Sequence, residues 1–175
     1  MDIGKILGLP AHPLLVHIPV VLVPLAGIGA IWIVVSSKWR AKIGWIVVAL
    51  AGAGLAGSWL AIQSGRTFYE ALNDQSQLLE RHTDLGNTFL WFALALFLST
   101  LALVLWDRAQ TRKARQQGRE LDGRAMARTP FALALSVLVI VATLAAGFQI
   151  YRIGDSGAKT VWQEDVQVFN QPAGG

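Results

Sequence analysis

The sequence predicts an all-α fold, an integral membrane four-helix bundle with both termini extracytoplasmic. Three observations carry this. Four runs contain no Asp, Glu, Lys or Arg: Leu14–Ser36, Ile43–Ser64, Leu85–Trp106 and Pro130–Tyr151, each of 22 or 23 residues. About 20 apolar residues in a helix cross the hydrocarbon core, whereas barrel strands are shorter and alternate with period 2. Charged residues make up only 15% of the chain, against roughly 25% in a soluble domain. The basic residues are also segregated, which sets the orientation.

The first connection, Ser37–Lys42, carries Lys38, Arg40 and Lys42 and no acid. The third, Asp107–Thr129, carries Arg108, Arg112, Lys113, Arg115, Arg119, Arg124 and Arg128. These are ten of the fifteen basic residues, while the opposite side holds eight of the eleven acids. Lys and Arg are retained in cytoplasmic loops, so the amino-terminal segment 1–13, the Gly65–Asp84 connection and the tail 153–175 are expected outside a bacterial inner membrane. The net charge of +4 follows this topology, which argues against nucleic-acid binding. A cleaved signal peptide is not expected, because the first apolar run is long enough to span. The absence of cysteine excludes disulfides, iron–sulfur ligation, thiolate zinc sites and thioether haem attachment.

Span one opens His12-Pro-Leu-Leu-Val-His-Ile-Pro-Val. Pro suits a first helical position, so the helix is expected to start near Pro13 with His12 at the cap. Pro19 and Pro24 remove helical hydrogen bonds and predict a kink in the outer third. In span two Ala49, Ala53, Gly57 and Ala61 recur every four residues beside Gly52 and Ala56. Such a small-residue face favours close helix packing in lipid. Span three is expected to run on as a helix with a basic stripe at Arg108, Arg112, Arg115 and Arg119, facing anionic headgroups or docking a partner. Trp39, Trp45 and Trp106 fall at the inner interface and Trp59 and Trp91 towards the outer one, where amphipathic rings anchor helices. After span four, Tyr151-Arg-Ile-Gly-Asp-Ser-Gly-Ala reads as turn chemistry, which predicts a segment folding back over the outer mouth.

All three histidines, His12, His17 and His82, fall on the outer side of this topology. His17 lies inside an apolar run, where a polar ring is costly and turns to the bundle interior. His82 precedes Gly86 by one helical turn, leaving room for a flat group. Imidazoles from two helices suit haem b, and also copper or zinc. His17 and His82 are the expected ligands, with His12 supporting or replacing His17. His12 and His17 lie about 140° apart on an ideal helix and cannot both face one metal. At the same level stand Arg66, Glu70, Arg81, Asp84, Gln149, Arg152 and Asp155. Arg66 or Arg152 would pair with haem propionates, and Asp84 would orient His82. Structural hydrogen bonding or a proton-sensitive switch is the competing reading. No P-loop, zincin motif or nucleophile elbow is present, nor a mid-membrane acid of the kind ion-coupled transporters use.

The opening around His12 and His17, the His82-x-x-x-Gly86 element and the Gly-rich segment after span four resemble a family of small bacterial membrane proteins. It is known only as a domain of unknown function, and its members open with a run of the form HPLLVHFPIAL. The similarity covers residues from about 10 to 162. Family members resemble one another in having four spans, and some are joined to cytochrome c-like or Rieske-type modules. The resemblance therefore implies a redox neighbourhood and carries over to His12, His17 and His82. Many relatives end the last span with a Gly-Gly-x-Leu-Val-Tyr-like segment, which Gly147-Phe-Gln-Ile-Tyr replaces here.

The leading expectation is a haem b electron-transfer protein whose partners are the lipid bilayer and a cytochrome or other redox protein. The alternatives are an accessory or assembly subunit of a larger membrane complex or homo-oligomer, and a copper or zinc protein.

Overall fold

The computed structural model describes residues 5–72, 76–118 and 129–169. A short hairpin, β1 (Lys5–Ile6) and β2 (Leu9–Pro10), opens the chain. It turns through Leu7 and Gly8 at φ 52° and 83°. Among the described residues five helices follow: α1 (Ala11–Leu15), α2 (His17–Val35), α3 (Ser37–Leu72), α4 (Gln77–Gln116) and α5 (Pro130–Phe169). Four segments are long and apolar enough to cross a membrane, the first formed by α1 and α2 together.

The first helix starts two residues earlier than expected: Ala11 leads, Pro10 stands at the cap position and Pro13 is third. The break at Val16 falls just before Pro19, which has no N–H for the Leu15 carbonyl and crowds that turn. Helical bonding bridges it, from the Val16 N–H to the His12 carbonyl (3.1 Å) and from the Val20 N–H to the Val16 carbonyl (3.2 Å). Pro24 lies inside α2 without ending it.

The first connection is far shorter than expected. Only Ser36, in extended conformation, separates α2 from α3. Its hydroxyl accepts from the Trp39 N–H at 3.4 Å, the capping that Ser provides at helix starts. Lys38, Arg40 and Lys42 therefore ride on the first turns of α3. The extension of span three is as expected, with Arg108, Arg112 and Arg115 on α4; Arg119, Arg124 and Arg128 lie outside the described residues.

Around the bundle α2 packs on α3, α3 on α4, α4 on α5 and α5 back on α2, while α2 and α4 meet only at a few points across the diagonal. The core comprises Val23, Ala26, Ala30 and Ile33 of α2, Val47 and Ala51 of α3, Phe89, Ala93, Leu96 and Leu103 of α4, and Val139, Ala142 and Ala146 of α5. Small residues let backbones approach: a side chain at Gly54 would meet Val23 at 2.8 Å and one at Gly27 would meet Thr143 at 2.9 Å. The contact face of α3 differs from the expected stripe. Gly57 and Ala61 are buried, but Ala49, Ala53 and Ala56 are exposed, and Gly44, Ala51, Gly54 and Ser58 take the contact instead. Spacing by four drifts around a helix of 3.6 residues per turn, so one stripe cannot stay on one neighbour. Outward-facing residues are large and apolar, with Trp91 70% and Phe148 63% exposed, a surface made for lipid.

One end of the bundle is closed by a buried ion pair. Arg40, 2% exposed, donates through Nε to Asp107 Oδ1 at 2.8 Å and through Nη1 to the Ile33 carbonyl at 3.1 Å. The latter satisfies an end-of-helix carbonyl of α2. Arg108 Nη2 donates to the Ala41 carbonyl at 2.7 Å, a second tie between α4 and α3. Both arginines read in sequence as ordinary connection charges.

Candidate functional site

The other end carries two imidazoles in matching cradles. His12 on α1 sets Nδ1 2.9 Å from the Ala61 carbonyl and 3.3 Å from Ser64 Oγ. Its ring lies over Gly65, where an added Cβ would come within 3.0 Å of Cε1. His82 on α4 sets Nδ1 2.9 Å from Ser156 Oγ, and its ring lies over Gly157, again at 3.0 Å from an added Cβ. Each serine turns back to its own helix: Ser64 Oγ donates to the Ala61 carbonyl (3.0 Å) and Ser156 Oγ to the Ile153 carbonyl (2.9 Å).

The bonding selects the tautomer. A carbonyl only accepts, so His12 donates from Nδ1–H to Ala61. The Ser156 proton is committed to Ile153, so the serine oxygen accepts from His82 Nδ1–H. Both neutral rings then keep an Nε2 lone pair, and among the described residues neither Nε2 has a hydrogen-bond partner. Both rings are half-buried. Phe68 stacks on His12 with centroids 6.3 Å apart.

The correspondence continues one layer down. Six residues after each histidine stand Ile18 and Thr88; seven before each serine stand Gly57 and Gln149. Ile18 packs on Gly57, and Gln149 Nε2 donates to Thr88 Oγ1 at 2.9 Å and to the Leu85 carbonyl at 3.1 Å. The α1–α3 and α4–α5 contacts thus repeat one local arrangement. In each, a histidine near the start of one helix packs on a Ser-Gly pair of a neighbouring helix.

This geometry changes several sequence expectations. His82 is matched by His12 and not by His17, which is exposed and held one turn back on α1, with Nδ1 2.7 Å from the Pro13 carbonyl. The angular offset between positions 12 and 17 sends one ring inward and the other out. Ser156 orients His82, whereas Asp84 is exposed and makes no bond to it. Gly86 faces open space, with no atom within 4 Å of an added Cβ. Arg66, next to Gly65, is exposed. Arg152 is also exposed; its Nη1 lies 3.4 Å from Gln149 Oε1 and its guanidinium 6.0 Å over Phe148. With Arg81, Asp155, Ser156 and Lys159 it lines a groove of about 60 Å³ behind the His82 cradle. Gly154–Gly157 is no turn: α5 runs through it to Phe169, and Gly157 lies under the His82 ring. The segment expected to fold back as a lid instead continues α5 as far as Phe169, and residues 170–175 lie outside the described residues.

Chemically, the site presents two fixed imidazoles with free Nε2 atoms, the arrangement in which a hydrogen bond at Nδ1 orients a metal ligand. Among the described residues no three or more His, Cys, Asp or Glu side chains converge. The glycines under the rings are testable. Gly157→Leu should drive His82 off Ser156 and cost about 1–3 kcal/mol, the range for overpacking a filled site. Gly154→Ala, beside open space, should gain up to ~1 kcal/mol from helix propensity. Unfolding of the detergent-solubilised protein reads both, and a Gly157→Leu protein as stable as Gly154→Ala would refute the packing.

A helical membrane protein of four spans with a duplicated imidazole cradle at one end is the class these features define. The chain belongs to the family described as predicted membrane protein (DUF2231), which matches it over residues 8–170. No curated protein and no solved structure matches it.

Proposed function

We propose that this protein is a small electron carrier of the bacterial inner membrane that would hold haem b at the imidazole end through His12 and His82. The observation that carries this reading is the pair of half-buried, Nδ1-anchored rings, one from each half of the chain, whose Nε2 atoms have no partner among the described residues. Donor number favours haem over a bare ion: the porphyrin brings four nitrogens and asks the protein for two, whereas zinc takes four donors. Bound haem would supply a one-electron couple. The chain's own residues orient and shield it: Ser64, Ala61 and Ser156 fix the rings, Gly86 leaves space beside α4, and Arg66 and Arg152 are cations available to propionates. The redox modules joined to similar proteins support an electron-transfer role.

The positive-inside distribution supports placing the imidazole end and both termini outside the cytoplasm, facing an extracytoplasmic cytochrome or other redox partner. The chain has no cysteine, so single cysteines report this directly. Leu9→Cys should react with an impermeant maleimide in intact spheroplasts, and Gln117→Cys only after permeabilisation; the reverse pattern would invert the topology.

The ligand assignment is tested by making the protein with ample haem and measuring haem per chain. Close to one haem b is expected for wild type and His17→Ala. Stoichiometric copper or zinc without a Soret band would replace haem with a metal centre. Colourless, metal-free protein that copurifies with a membrane complex would favour the accessory-subunit role.

A further inference from the structure

At the opposite end, α3 and α4 enclose an open groove of about 570 Å³, within the size range of small-molecule sites. Its polar wall is Arg108, Arg112, Arg115 and Thr111; its apolar wall includes Trp45 and Leu105. The arginines are spaced by four and three and so share one face of α4. Among the described residues no acid lines the groove. The nearby Asp107 is committed to Arg40 at 2.8 Å and leaves the cluster without an acidic partner among the described residues. Arg108 is pinned to the Ala41 carbonyl through Nη2, and its buried Nε has no partner. Trp45 and Leu105 belong to the charge-free runs of α3 and α4, so the apolar wall continues into the membrane-spanning surface.

We propose that this groove binds one anionic glycerophospholipid, its phosphate against Arg108, Arg112 and Arg115 and an acyl chain along Trp45 and Leu105. Charge complementarity and the join between a cationic cluster and a lipid-facing apolar wall favour this occupant over a soluble anion, which would leave Trp45 and Leu105 unused. Thr111 is not a free donor, because its hydroxyl bonds the Asp107 carbonyl at 2.9 Å; recognition falls to the guanidinium groups. The inference is independent of haem binding.

The test measures phosphatidylglycerol and phosphatidylcholine binding to the full chain, by native mass spectrometry and by exchange of a fluorescent phosphatidylglycerol from nanodiscs. Wild type should retain one phosphatidylglycerol and discriminate against phosphatidylcholine. Arg112→Gln/Arg115→Gln, altering two exposed side chains, should weaken retention roughly thirtyfold, as removing two surface cations implies. Arg81→Gln/Lys159→Gln at the imidazole end should leave it unchanged. Equal retention of both lipids, or no effect of the groove variant, overturns the proposal. Displacement by millimolar inorganic phosphate, or a tightly held acidic protein segment in place of lipid, also overturns it.

Discussion

Asp107→Ala is expected to destabilise the bundle by about 3–5 kcal/mol, the range seen when one partner of a buried ion pair is removed. The side chains of Arg40 and Asp107 are 2% and 7% exposed, so the guanidinium left behind would have neither water nor a counter-charge. The pair also ties three helices, because Arg40 reaches the Ile33 carbonyl at the end of α2 while Asp107 stands on α4. Arg40 Nη2 is buried without a partner, so even the intact pair bears an unmet donor. Arg40→Met/Asp107→Leu should therefore recover most of the loss, since apolar replacement of a whole buried pair is close to neutral. Reversible unfolding in mixed detergent micelles measures all three proteins. Asp107→Ala within about 0.5 kcal/mol of wild type, the scatter of ordinary surface substitutions, would show that the pair carries no such load.

His12→Ala and His82→Ala should each abolish stable haem binding, while His17→Ala keeps it. A bis-imidazole site fails when either ligand is lost, so the double variant should be no worse than either single one. The structural cost should be modest, about 1 kcal/mol for one lost hydrogen bond, and unfolding measurements would show these variants still folded. Free imidazole added to His82→Gly should restore the low-spin spectrum, a rescue that a purely structural role for the ring would not produce. Equal haem content in His12→Ala and wild type would remove His12 from the site.

The four spans are legible in the sequence because charge exclusion over 22 or 23 residues has one physical cause, the hydrocarbon core. The placement of His82 and Gly86 on one helix goes beyond that rule, because His82 lies in the charged stretch before Leu85 and joins the helix only because α4 starts at Gln77. The choice between His12 and His17 is not legible. Apolarity around His17 suggests an inward ring, but the helix begins at Ala11, and this start turns His12 onto α3 and His17 away. The Ser-Gly pairs are harder still. Gln63-Ser-Gly and Asp155-Ser-Gly carry a signal only when each is matched to the histidine on the preceding helix, 52 and 74 residues away. Taken alone, Asp155-Ser-Gly has the composition of a turn. The Arg40–Asp107 pair is hidden because topology reasoning treats charges between spans as solvated. A one-residue connection at Ser36 draws Arg40 into the protein instead.

The reduced-minus-oxidised visible spectrum of the wild-type protein, made with ample haem and held in mild detergent, addresses the paired-imidazole assignment most directly. Two axial imidazoles predict a low-spin b-type spectrum, with a Soret band that shifts on dithionite reduction and a sharp α band, at about one haem per chain. Haem-replete preparations with no Soret band would contradict it.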